Sequence, residues 1–167
     1  MRLKPFLQTV KMDESHWNGL RRHENLPFVI DPGFSGWVDL SLEQAAKTRV
    51  MLDLMGHDHR VSDYLAGLPP AYAAKIVINA GQSLLDLPHG RSEPDIWIGV
   101  LILADETAPG GASCAWYRGT LTELSDWVAG KEGSPEEPRM PSVRLFLVNA
   151  SESVRGVRVR ANEWGVL

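Results

Sequence analysis

The sequence predicts a single α+β domain, 1–167, with helices packed on one face of a mainly antiparallel sheet. Three observations carry that expectation. Residues 41–87 follow a helical pattern, residues 95–167 are rich in strand patterns, and the two kinds of segment do not alternate as a parallel βαβ fold requires. The C-terminal part is expected to run β-β-α-β-β.

Residues 1–40 are irregular. Phe6 to Val10 reads as a strand, Asp13 to Glu24 as a short helix or loop, and Pro27 to Ile30 and Trp37 to Leu40 as short extended pieces. Asp31-Pro32-Gly33 between them is a turn signal, because proline presets φ and glycine accepts positive φ.

The helical zone opens at Ser41, three residues before Gln44. That spacing makes a capping box, in which each side chain satisfies the other residue's backbone amide. A helix should run from Leu42 to Met55 and stop at Gly56, apolar around most of its axis and therefore buried. Val61 to Ala66 suggests one further turn. Pro69-Pro70 then starts a helix expected from Ala71 to Leu87, with Lys75, Asn79, Gln82, Ser83 and Asp86 on one narrow polar stripe. Its packing against the strand at 96–104 is the expected centre of the core.

Ile96 to Ala104 is apolar on both faces, as a central strand is. Ala108 to Gly111 is a turn, and Cys114 to Arg118 should return antiparallel beside the first strand. Thr120 and Glu123 form a second capping box for a helix from Leu121 to Ala129, ended by Gly130. Lys131 to Pro141 is polar. Ser142 to Val148 reads as a strand, and Arg155 to Ala161 as a last one, with Val157 and Val159 alternating against Arg158 and Arg160.

Composition bounds the function. The chain is 44% hydrophobic and 23% charged, ordinary values for a folded domain. Net charge is −4, and neither half is basic, so nucleic-acid binding is not expected. The longest uncharged apolar run is Ile96 to Ala104, too short to span a membrane as a helix. The first ten residues lack the apolar run of a signal peptide, and a lone cysteine, Cys114, cannot form an internal disulfide. These point to a soluble, cytoplasmic protein, with Cys114 read as a small buried hydrophobe. There is no G-x-S-x-G elbow, P-loop, dinucleotide fingerprint, H-E-x-x-H or paired C-x-x-C, and no cofactor or metal is expected.

Reactive groups are few. His57-Asp58-His59 is the densest set: in an extended segment alternate imidazoles share a face and can hold a metal or move protons. The competing reading is a polar turn capping the preceding helix. Asp105 and Glu106 end the central strand, where carboxylates can act as acid and base or simply begin a solvated loop. Arg118, Arg144, Arg155, Arg158 and Arg160 would form a basic strip if the late strands share a wet face. Of six tryptophans, Trp97, Trp116 and Trp127 read as core, whereas Trp17, Trp37 and Trp164 fall outside patterned elements and are candidate contact anchors. Acidic Glu132, Glu136 and Glu137 could meet a basic partner.

The reading that follows is a non-enzymatic protein-interaction domain with a protein partner, such as an immunity protein, an antitoxin-like inhibitor or an assembly adaptor. The alternative is a small enzyme or ligand-binding domain, with a pocket between helix 71–87 and the sheet and His57, Asp58 and His59 at its rim.

Overall fold

The computed structural model describes residues 1–30, 39–56, 67–80, 84–87, 93–108, 111–131 and 142–166. Among them the chain forms six α-helices, one 3-10 turn and a three-stranded antiparallel sheet, so the α+β class holds.

Leu3–Val10 is a helix, α1, and not the expected strand. The period decides: Leu3, Phe6, Leu7 and Val10 recur at i, i+3, i+4, i+7, which gathers them on one helical face, and Pro5 lies in the first turn, where its missing N–H costs nothing. Glu14–Arg22 forms α2, capped by Asp13, whose carboxylate accepts the His16 N–H at 2.7 Å. Its Glu14 and its Arg21 and Arg22 sit at the ends the helix dipole favours. Residues 27–30 form no strand; Phe28 packs on the core.

Leu42–Leu54, α3, starts with the expected capping box: Ser41 N–H donates to Gln44 at 2.8 Å and Gln44 N–H to Ser41 Oγ at 3.1 Å. It ends at Met55 and Gly56, the latter at φ 71°. The chain comes back against this end at Gly67, where a Cβ would lie 2.1 Å from the Met55 carbonyl carbon; only glycine lets the two backbones meet this closely.

The next helix is shorter than predicted. α4 covers Pro70–Asn79, and a 3-10 turn follows at Leu84–Asp86. Asn79 is a poor helix former and glycine follows two residues later, at 81. Glu43 fixes the turn by accepting the Leu84 and Leu85 N–H groups at 3.1 and 3.2 Å. α4 packs on α3, so the expected core centre moves: α3 is the hub, in contact with α1, α4, α6, the 3-10 turn and β3.

β1 is Trp97–Ala104, β2 is Ala112–Gly119 and β3 is Ser142–Asn149, in the order β2-β1-β3 and antiparallel throughout. In register, Ile98 sits between Arg118 and Val148, and Val100 between Trp116 and Phe146. This face joins the core with α1, α3 and α4. The opposite face carries Gly99, Leu101, Tyr117, Leu145 and Leu147.

Helix α5, Leu121–Lys131, begins with the Thr120–Glu123 capping box and runs through Gly130 rather than stopping there. It is the exception to one-sided helix packing. Leu124 reaches the opposite face over Gly99, where a Cβ would come within 2.5 Å of its methyl, and Trp127 stacks on Tyr117 at 5.7 Å between centroids.

The final element is a correction. Residues 155–161 are not a strand; Ala150–Glu163 is helix α6. The valine–arginine alternation lies inside a helical repeat, Ala150, Val154, Val157 and Ala161, all buried, while Val159 is left 59% exposed. Asn149 caps it by accepting the Glu152 N–H at 2.9 Å. The C-terminal order is therefore β-β-α-β-α.

Candidate functional site

Helix α1 has no basic residue in its last turn, yet its final four carbonyls lack partners within the helix, as at any helix end. Leu7 and Gln8 are satisfied locally by the Met12 and Lys11 amides. Thr9 and Val10 are satisfied from a distance. Arg160 Nε donates to the Thr9 carbonyl at 2.6 Å, and Arg49 Nη1 to the Val10 carbonyl at 2.9 Å. Two guanidinium groups from α6 and α3 thus cap α1 and complement its negative end.

Arg49 also pairs with Asp53 one turn along α3. The second Asp53 oxygen faces Ser153 Oγ at 2.6 Å, and that hydroxyl lies 3.0 Å from the Asn149 carbonyl. These groups border a cleft of about 360 Å³ lined from α3 by Arg49 and Asp53, from β3 by Leu147 to Asn149, and from α6 by Glu152, Ser153, Gly156 and Arg160. No β1 residue lines it, so it opens on the free side of β3.

The chemistry of this cleft is that of a joint. Asp53 is held by Arg49 and Ser153 together, and among the described residues lining the cleft no imidazole stands beside Ser153 to take its proton, as nucleophilic catalysis would need. A larger cleft, about 680 Å³, lies between α1 and the start of α2; its Arg2 and Lys4 are balanced by Asp13 and Glu14, so it offers no field of one sign.

A second network fixes α6 to the start of β1. Arg155 clamps Asp95 with two hydrogen bonds, at 2.8 and 3.0 Å, and also holds Glu152; Asn149 donates to Asp95 at 2.7 Å. Ser151 adds a reciprocal pair with the Ile96 backbone, at 2.9 and 3.2 Å. The Arg155 bonds, then that from Asn149, hold the Asp95 carboxyl below its ordinary value. A lowered folded-state pKa adds stability above the unfolded value, near 3.9, and that stability is lost as pH falls through the folded one. Asp95→Asn is therefore expected to melt below wild type at pH 7, with a smaller gap at about pH 3, which lies below the unfolded value. Thermal melts of both proteins at the two pH values check this.

The basic strip does not form. Arg155 and Arg160 point to internal partners, Arg158 donates to the Leu85 carbonyl at 2.8 Å, and Arg118 to the Ala80 carbonyl at 3.3 Å, where burial lowers its pKa. Arg144 lies over the Phe146 ring at 4.8 Å. The arginines mostly serve helix ends. Their sequence signal was the lack of a basic residue in the last turns of α1 and α4.

Other expectations resolve one by one. Trp17 is no contact anchor: it is 2% exposed, wedged between Phe6 and Phe28. Trp164, after α6, is 48% exposed. Asp105 turns back to accept the Thr107 hydroxyl and amide, at 2.6 and 3.0 Å, which lowers its pKa; Glu106 is exposed beside it. They form a loop start. Cys114 is exposed on β2, not buried, though partial burial raises its thiol pKa. His57, Asp58, His59, Trp37, Glu132, Glu136 and Glu137 lie outside the described residues. Among the described residues no group of three His, Cys, Asp or Glu side chains could hold a metal, and no helix is long and apolar enough to cross a membrane.

One apolar surface among the described residues lies on the sheet itself. α5 packs mainly on β2 and β1. Leu145 and Leu147 stand side by side on the same face, 42% and 43% exposed, on an edge strand. A scan of protein-family models finds no match to this chain, and a search of curated proteins finds none either.

Proposed function

We propose that this chain is a non-enzymatic protein-interaction domain that binds through β3 and the half of the sheet that α5 leaves open. The observation that carries this reading is the pair Leu145 and Leu147, each more than two-fifths exposed on the same face of an edge strand. An edge strand presents unpaired backbone donors and acceptors, and proteins normally guard such edges with charge, proline or a covering element. From Leu145 to Asn149 this strand carries none of the first two. Apolar side chains beside a free ladder are what strand-addition partners recognise. The cleft beside β3 supports the reading indirectly, since its Arg49, Asp53 and Arg160 are engaged in joining helices. Trp164 supplies a further exposed aromatic.

The test is quantitative capture from the native source with wild type and with a Leu145→Lys, Leu147→Lys double variant as bait. Both side chains are substantially exposed, so the variant should fold with a stability change below about 1 kcal/mol. A stoichiometric protein held by wild type and lost by the variant is the expected result. Equal recovery with both baits would remove this surface from consideration.

A further inference from the structure

We infer that the partner this surface takes is a second copy of the chain, added antiparallel along β3 to make a continuous six-stranded sheet. The inference rests on the interaction reading above and adds the identity of the occupant.

A two-fold axis perpendicular to the sheet keeps like faces together, so residues of the same parity oppose each other across the new ladder. With Phe146 on the axis, Leu145 of each copy opposes Leu147 of the other. The four leucines that are 42% and 43% exposed then cover one another in a single cluster on the α5 face. Each copy supplies half of what the other lacks, as an isologous interface requires.

Charge favours the same register. Arg144 is the single charged residue of β3. Arg144 shares the helix-side face with Phe146 and Val148, because it pairs with Ile102 as they pair with Val100 and Ile98. In the proposed register it opposes Val148 of the second copy and never its own symmetry mate. That places its guanidinium at the mouth of the cleft lined by Val148, Asn149 and Glu152. The Glu152 side chain lines this cleft and is 69% exposed, so its carboxylate is open to an incoming cation while still holding Arg155. The contact occurs twice across the axis. A register centred on Arg144 would instead set two like charges opposite each other, which is unfavourable.

Sedimentation of the purified full chain from roughly 1 to 100 µM tests this, a range in which interfaces of modest size associate. The expected result is a species of twice the 18.5 kDa chain mass. Leu145→Lys with Leu147→Lys, and separately Arg144→Glu, should each raise the dissociation constant, the first by at least about 100-fold. Circular dichroism must show both variants folded, and Arg144→Glu leaves the leucines in place should the double variant fail to fold. A wild type that stays monomeric throughout overturns the second copy as occupant; if capture from the native source still distinguishes wild type from the leucine variant, the interaction reading stands alone. A dimer unchanged by both variants also overturns the inference, because the copies then meet elsewhere.

Discussion

Replacing Arg49 with methionine is expected to destabilise the fold by about 3–5 kcal/mol, the usual cost of removing one partner from a buried ion pair. Arg49 is 4% exposed at the hub helix and serves two elements at once. Its loss strips the Val10 carbonyl of its donor and leaves the Asp53 carboxylate, whose side chain is only 21% exposed, facing Ser153 without a cation. Each unsatisfied buried group adds its own desolvation cost. For a domain of this size 1 kcal/mol shifts the melting temperature by roughly 2–4 °C, so the variant should melt about 6–20 °C lower. Thermal denaturation followed by circular dichroism measures it. Methionine keeps most of the volume, so a small effect would mean that the charge and its bonds do not hold α1 in place. Arg49→Met with Asp53→Leu should recover part of the loss, since no carboxylate is then stranded.

Trp17→Ala should cost a similar amount, about 3–5 kcal/mol, through the cavity it opens. The Trp17 ring meets Phe6 edge-on at 5.3 Å and 66°, and Phe28 tilts against it at 6.5 Å. These contacts join α2 to α1 and the segment around Phe28 to α2. Trp164→Ala, by contrast, should change stability by less than about 0.5 kcal/mol, because its ring is half exposed after the last helix. Urea unfolding of the two variants side by side separates a core tryptophan from a surface one. Near-equal losses would contradict the assignment of Trp17 to the core.

How much of this was legible in the sequence depends on how local the signal was. Both capping boxes, Ser41–Gln44 and Thr120–Glu123, formed as read, because the bonds involved span three residues. β1 and β2 paired antiparallel as expected, since an uncharged apolar run has few alternatives to a central strand. Two of the failures share a cause. Phe6 to Val10 and Arg155 to Ala161 are short enough that a period of two and a period of 3.6 both fit. The helical reading shows only when the window is widened to Leu3 and to Ala150. The Asn149–Glu152 spacing was the cap signal passed over.

The site was less legible than the fold. Arg49 reads as one more charge on an apolar helix, and nothing in its neighbours says that it will cap a helix 39 residues away. Arg155, Arg158 and Arg160 would join Arg118 and Arg144 in a strip only if they lay on a strand; on helix α6 they diverge to separate partners. The open half of the sheet could not be read at all, since the exposure of Leu145 and Leu147 depends on where α5 stops, and that is set by the packing of Leu124 over Gly99 and of Trp127 on Tyr117.

The working surface proposed here is an edge strand, and backbone amides report on edges directly. Hydrogen exchange of the full chain, compared at protein concentrations well below and well above its association, is the most direct test. The edge amides of β3 between Leu145 and Asn149 should exchange more slowly at the higher concentration, by the factor that pairing imposes, while those on the free edge of β2 stay unchanged. Identical exchange in β3 at both concentrations, or protection that appears on β2 instead, would contradict the assignment of β3 as the strand that binds.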